Sequence, residues 1–419
     1  MDTLYFDLPQ IRVQCSDRTI EKTLLHIHQF WKYLIKTAPP YTKNELFYLP
    51  HSYVVPGGVF QQLFYWDSYF MILGLKISKL HSLARGIVEN FLYEIKTFGI
   101  IPNSSELAHL SRSQPPFLTS MIQEVWEGDL EWLRYAYEWA KVEYENVWMD
   151  ANTHFHQEIG LNRYYDRLES LLKVKGESYL YFSDTYFSER FWQERVEAES
   201  GWDYTGRFYR QCGNVIPVDL NSLLYKYETD FSYLSKILHL ENEVVFWKNR
   251  ASKRKKLMDQ YLWNQELGMY LDYNFVTKQQ YRYFSLATFY PLWASVASPQ
   301  QAAKIRKHIS LFLCAGGMVT STVPSGFQWD YPNGWAPLQW IVIQGLKNYG
   351  YLEESLQIAK RWIRLCTHVF LKHGKLYEKY NVVDFNIQAV GRYPLQEGFG
   401  WTNGIYEKIA VDILGCIVQ

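Results

Sequence analysis

Apolar residues recur at helical spacing from one end of the chain to the other. Over 21–37, Leu24, Leu25, Ile27, Phe30, Trp31, Leu34 and Ile35 fall on one broad face, as an amphipathic helix packed on a core requires. The same spacing predicts helices over about 84–97, 125–149, 231–262, 300–313, 338–349 and 353–371. Between them lie loops rich in Gly, Pro, Asn and Ser, among them Pro56-Gly57-Gly58, Pro102-Asn103-Ser104-Ser105, Ser200-Gly201-Trp202-Asp203 and Pro332-Asn333-Gly334. No segment has the run of alternating strands that a β-domain needs, and no Ser/Gly/Pro stretch is long enough for an interdomain linker. The pattern predicts an all-α protein with one domain over 1–419.

Charge narrows the partners. The 43 Lys+Arg balance the 43 Asp+Glu, so the chain offers no overall field to a nucleic acid or an anionic membrane surface, and neither is expected as a partner. The densest basic cluster, Lys248, Arg250, Lys253, Arg254, Lys255 and Lys256, spreads around more than one side of a helix and reads as a solvated face. The first residues lack the basic-then-apolar pattern of a signal peptide, and no window approaches the roughly 18 apolar residues of a membrane span. Cys15, Cys212, Cys314, Cys366 and Cys416 are odd in number and scattered, which predicts reduced thiols and a cytoplasmic protein. No His pair has the spacing of a zinc site, so neither metal nor cofactor is expected.

The aromatic content, 18% of residues, concentrates in informative places. Phe60, Phe64, Tyr65, Trp66 and Tyr69 surround Asp67 in sequence; Trp202 precedes Asp203; Trp329 precedes Asp330, with Trp335 shortly after. A carboxylate beside an aromatic plane suits a pyranose, whose hydroxyls need polar partners while its C–H faces pack on rings. A core aromatic next to a helix cap accounts for any single pair equally well; three pairs in Gly/Pro loops favour a sugar site.

These residues also carry a family resemblance. Gln328-Trp329-Asp330-Tyr331-Pro332-Asn333-Gly334-Trp335-Ala336-Pro337 reproduces one of the two signature sequences of trehalases, inverting α-glucosidases. Gly99-Ile100-Ile101-Pro102-Asn103, Arg112-Ser113-Gln114-Pro115-Pro116, Ala198-Glu199-Ser200-Gly201-Trp202-Asp203, Glu378-Lys379-Tyr380 and Gly398-Phe399-Gly400-Trp401-Thr402-Asn403-Gly404 resemble further family motifs in the same order, over roughly 50–410. The resemblance implies an (α/α)6 barrel with its site at the mouth of the inner ring. It also implies Asp203 as general acid and Glu378 as general base, the pair an inverting hydrolase holds about 6.5–9.5 Å apart. Sugar-binding roles are implied for Phe60, Tyr65, Trp66, Asp67, Asn103, Arg112, Gln114, Trp202, Trp329, Asp330, Trp335, Gln396 and Trp401. Arg167 and Glu169 resemble the family's Arg-Pro-Glu-Ser element, although an ordinary surface pair explains them as well.

The chain departs from the family at the first signature, where Val59, Gln62 and Phe64 stand in place of Arg, Glu and Tyr. Arg to Val removes five donors and a charge. Before Tyr393-Pro394-Leu395-Gln396 the family's glycine run is missing and Arg392 replaces a Glu, in a loop that serves the family as a lid. Groups for a second glucose are therefore altered while the catalytic motifs remain, which points to a small osmolyte-like α-glucoside with a different aglycone. Glucosylglycerol leads, glucosylglycerate would use Arg392 or Arg112 as counter-ion, and trehalose itself stays open. A sugar-binding protein without activity is the alternative from another class. An isomerase or lyase would lean on a His that the best-matched loops do not contain.

Overall fold

The computed structural model describes residues 7–37, 46–168 and 189–419. Fourteen α-helices lie among them: α1 (Arg18–Leu34), α2 (Tyr65–Ile77), α3 (His81–Phe98), α4 (Leu118–Val125), α5 (Leu130–Glu143), α6 (Glu189–Glu199), α7 (Val218–Ile237), α8 (Glu241–Tyr261), α9 (Tyr290–Trp293), α10 (Pro299–Arg306), α11 (Ile309–Phe312), α12 (Ala336–Asn348), α13 (Leu352–His373) and α14 (Gly400–Asp412). Strands are two or three residues long and form two- or three-stranded pairings.

Helix contacts run α2–α4–α7–α9–α12–α14 and return to α2, a closed inner ring; α1, α3, α5, α8, α10 and α13 alternate with them on the outside. The chain is an (α/α)6 barrel. Burial separates the two rings. Every residue from Tyr65 to Leu75 of α2 is buried, whereas α1 and α13 bury one stripe and expose the other. Ring closure depends on two glycines. A Cβ on Gly74 of α2 would lie 2.4 Å from Gly404 Cα, and one on Gly404 of α14 would lie 2.3 Å from the Phe70 carbonyl oxygen. Only bare backbones allow the last inner helix to close on the first.

Element boundaries follow local chemistry. Asp17 and Asp129 accept from Thr19 N and Trp132 N to cap α1 and α5, and Ser298 and Gln301 form a capping box on α10. The single helix expected over 231–262 is two, broken where His239 turns left-handed at φ 57 and Leu240 leaves helical geometry between α7 and α8. The segment expected to be helical over 125–149 has its α-helix at 130–143, followed by a π turn at 144–148.

Closure also corrects the expectation of five reduced thiols. α14 packs on both α1 and α2, so the two ends of the chain meet; strand 13–14 pairs antiparallel with strand 417–418, and Cys15 and Cys416 form a disulfide across 401 residues. Cys212, Cys314 and Cys366 are free. Among the described residues no helix is long and apolar enough to cross a membrane, and no group of three or more His, Cys, Asp or Glu side chains is placed to hold a metal.

Candidate active site

The loops that enter the inner helices meet at one mouth of the barrel and enclose a cavity of about 420 Å3. A larger open groove of about 950 Å3, lined by Tyr209, Tyr261, Tyr273 and Tyr281, holds no carboxylate; the smaller cavity holds three, Asp67, Asp203 and Glu378.

Glu378 is the carboxylate most supported in its charged form. Tyr393 donates its hydroxyl to Glu378 Oε1 at 2.6 Å, and Lys379 donates Nζ to Oε2 at 2.8 Å. Lys379 is itself enclosed by rings, its Nζ 4.8 Å from the Trp335 centroid and 4.5 Å from that of Tyr393. The strand that carries Lys379 pairs with Asn333–Trp335, and Trp401 donates its indole N–H to the Glu378 carbonyl at 2.9 Å, so the backbone here is fixed from both sides. Burial raises the Glu378 pKa, against the pull of Lys379 and Tyr393.

Asp203 has a poorer set of donors. Gln328 Nε2 reaches its carbonyl at 3.0 Å and its Oδ2 at 3.1 Å, and burial raises its pKa while Lys379, Trp329 and Arg392 favour the charged form. The turn that presents it is held by Glu197, whose Oε1 accepts from Tyr204 N at 2.6 Å and Thr205 N at 3.2 Å, with Tyr204 left-handed at φ 66. Burial pushes Glu197 up to about 8. Asp67, in the first turn of α2, is driven well above its ordinary range by burial and by the neighbouring Glu378 and Asp203 charges.

An aromatic wall stands around these acids. Trp329 stacks on Trp335 at 3.9 Å and 5°, Trp66 lies 5.7 Å from Trp329, and Trp401 meets Trp66 edge-on at 5.9 Å. Gly201 must lack a side chain, since a Cβ there would lie 2.8 Å from Trp66 Cε2 and its φ is +71. Asn103, Arg112 and Gln114 also line the cavity; Gln114 Oε1 accepts from Trp66 N, and the buried Arg112 Nε has no hydrogen-bond acceptor among the described residues. Phe60 packs edge-on against Tyr393 at 5.6 Å, and Arg392 is exposed at the rim.

Other residues singled out in the sequence lie behind this wall. Trp202 turns away from its neighbour Asp203 and packs over the Arg207 guanidinium at 4.5 Å. Trp202 therefore does not face the cavity beside Asp203; Trp329 and Trp335 line it instead. Asp330 accepts from Thr205 Oγ1, Gly206 N and Ser321 Oγ and so knits the acid loop to its neighbours. Tyr65 donates to the buried Glu143, and Gln396 Oε1 accepts from Val59 N. Arg167 donates to the Asn146 carbonyl outside the cavity, and Glu169 lies outside the described residues.

The cavity also contains residues that sequence reasoning missed: Pro56, His109, Ala198, Tyr393 and Phe399. Tyr393 sits within a matched motif and was readable as a donor; Ala198 and Pro56 contribute surface only. His109, between the matched motifs at 99–103 and 112–116, adds to the cavity a histidine that those motifs do not contain. Burial, with Arg112 and Arg195 alongside, pushes it down to about 3, so it is neutral and bonded to Ser104 Oγ at 2.7 Å.

Comparison with known proteins agrees with this geometry. The model of the family described as trehalase matches residues 7–412. The neutral trehalase Nth1 from Saccharomyces cerevisiae is 28% identical, with a TM-score of 0.79 over 93% of each chain. A GH63 mannosylglycerate hydrolase from Thermus thermophilus, in a complex with glucose, is 16% identical and superposes with a TM-score of 0.66 over 92% of this chain and 99% of that one.

Proposed function

We propose that this chain, which belongs to the trehalase family of glycoside hydrolases, cleaves a small α-glucoside with inversion, using Asp203 as general acid and Glu378 as general base. The observation that carries the reading is the unequal support of two carboxylates in one cavity. Glu378 accepts directly from an ammonium and a phenol, which favour an ionised base; Asp203 accepts from the Gln328 amide, with Lys379, Trp329 and Arg392 acting on it less directly, which leaves its proton easier to keep. In the reaction Asp203 gives its proton to the glycosidic oxygen as the C–O bond breaks. Glu378 takes a proton from water as that water bonds to the anomeric carbon from the other face. The aromatic wall receives the C–H face of the glucose, and Asp67, Asn103, Arg112 and Gln114 meet its hydroxyls.

For the leaving group, three acids against Arg112 and Arg392 in the lining favour a neutral aglycone, with glucosylglycerol first. A specific observation favours a second reading. Arg392 forms no ion pair within 4 Å among the described residues and its charge falls on Asp203, so the carboxylate of glucosylglycerate would give it a partner. Trehalose is the third candidate, as the substrate class of the 28% identical relative's name.

Purified protein assayed on glucosylglycerol, glucosylglycerate, trehalose, maltose and sucrose decides among them, with the highest kcat/KM expected on glucosylglycerol. Asp203→Asn and Glu378→Gln should each reduce kcat by about a thousandfold or more with the fold intact. NMR of fresh product should show β-glucose first. Near-full turnover by either variant, or α-glucose first, refutes the assignment.

A further inference from the structure

The barrel has a second mouth. Opposite the catalytic cavity, a cavity of about 390 Å3 opens at the C-terminal turns of α4, α9, α12 and α14, and Tyr69 of α2 and Lys226 of α7 complete its wall. Every inner helix contributes, so the cavity lies on the barrel axis. Its volume nearly equals the 420 Å3 of the catalytic cavity.

The floor is aromatic. Tyr69, Trp293 and Trp340 are all at least 95% buried, Trp293 lies edge-on to Tyr69 at 6.0 Å, and the buried Trp340 indole N–H has no hydrogen-bond partner among the described residues. Burial and the nearby Glu124 raise the Tyr69 pKa, so its hydroxyl stays a donor. The rim is polar and mixed in sign. Lys226 pairs with Asp230, Lys408 with Asp412 at 2.8 Å, and Glu124 with Lys76 at 2.8 Å; Gln344 and Lys347 supply further donors and acceptors. Lys226 and Lys408 extend over the indoles of Trp293 and Trp340 at 5.9 and 6.0 Å.

Charge selects the ligand class. The ion pairs cancel internally, while four helix C-termini add partial negative charge that opposes an anion. A cation would meet Lys226, Lys347 and Lys408. Alternating donors and acceptors above an apolar floor instead match a ring with hydroxyls on its edge and C–H bonds on its face. We infer that this mouth is a second, non-catalytic binding site for a neutral pyranose or a cyclic polyol of that size. Its carboxylates are engaged by lysines, so it binds such a ligand without cleaving it.

Saturation-transfer NMR with D-glucose tests the site. An Asp67→Ala/Arg112→Ala protein, weakened in the catalytic cavity, should retain a glucose signal. Adding Gln344→Trp, which fills the distal mouth, should cut that signal by about tenfold, the size of one lost set of contacts. Gln344→Ala/Lys347→Ala gives the same reading by removing contacts rather than filling space, and circular dichroism confirms that each variant is folded. On the wild-type background these distal changes should leave kcat/KM within about twofold, since they touch no catalytic group. D-Glucuronate, which keeps the pyranose ring and adds a negative charge, should give no signal from this mouth. Loss of all glucose signal in the catalytic-cavity variant, survival of that signal in both distal variants, or glucuronate binding as strongly as glucose each overturns the inference.

Discussion

The Tyr393 hydroxyl offers the sharpest test of how Glu378, the proposed base, is kept ionised. It donates to Glu378 Oε1 at 2.6 Å, and Tyr393→Phe deletes that one oxygen while keeping the ring over Lys379 and against Phe60. A hydrogen bond to a charged group contributes about 1.5–3 kcal/mol. At 1.4 kcal/mol per factor of ten, the ionised base loses about 10- to 150-fold in its equilibrium with the protonated form. The sign follows from the role. A base must be ionised, and removing a donor to the carboxylate raises its pKa, so the acidic limb of kcat/KM moves up. The loss should be largest at low pH and vanish as the profile reaches its plateau. Measuring kcat/KM from about pH 4 to pH 8, on whichever panel substrate is fastest, separates the outcomes. An acidic limb that stays in place or moves down, or an equal loss at every pH, would refute this account of Glu378 and make Tyr393 a packing or substrate contact.

Three further outcomes follow from other residues. Arg392 favours the charged form of Asp203, so Arg392→Ala should move the alkaline limb of kcat/KM upward, and should raise KM for glucosylglycerate but not for glucosylglycerol; pH profiles on both substrates check this. Burial pushes Glu407 up to about 8 from 4.5, so the folded state holds its proton where the unfolded state has lost it, and stability should fall as pH rises from about 4.5 through about 8. Glu407→Gln, which cannot ionise, should flatten that part of a Tm-against-pH curve. Cys15→Ser/Cys416→Ser should lower stability by about 2–4 kcal/mol in denaturant titrations without changing kcat/KM, and a reductant should bring the wild type to the same midpoint.

Most helices legible in the sequence face both core and solvent, and the inner α12, predicted over 338–349, is legible through its last turn, where Gln344, Lys347 and Asn348 leave the core. The helices read from periodicity over 21–37, 84–97 and 353–371 are α1, α3 and α13 of the outer ring, each with a polar face. α2 and α14 were not read as helices because burial on nearly every side removes the alternation that periodicity detects. The three Trp-Asp pairs show the same limit at the site. At 66–67 both side chains line the cavity, at 202–203 only the acid does, and at 329–330 only the indole does. Adjacency in sequence gave a correct neighbourhood, and side-chain direction within a loop, set by partners such as Arg207 for Trp202 and Thr205 for Asp330, decided function.

The same architecture explains how three carboxylates are buried in one cavity of a chain with no net charge. Because each inner helix alternates with an outer one, the inner helices run in the same direction and begin at the catalytic mouth. Asp67 lies in the first turn of α2, Gln114 leads into α4, Trp335 caps α12 and Trp401 opens α14. Each helix N-terminus near a carboxylate stabilises it by about 0.3–1 kcal/mol. Asp67 gains this directly, and Lys379 with the two arginines offsets part of the remaining cost of removing these acids from water. The opposite mouth receives the C-termini, where lysines rather than acids gain from the dipoles, and Lys226, Lys347 and Lys408 stand there. The charge asymmetry between the two ends is therefore a property of the ring. It places the proposed hydrolytic acids at one mouth and leaves the other suited to the sugar-binding role proposed for it.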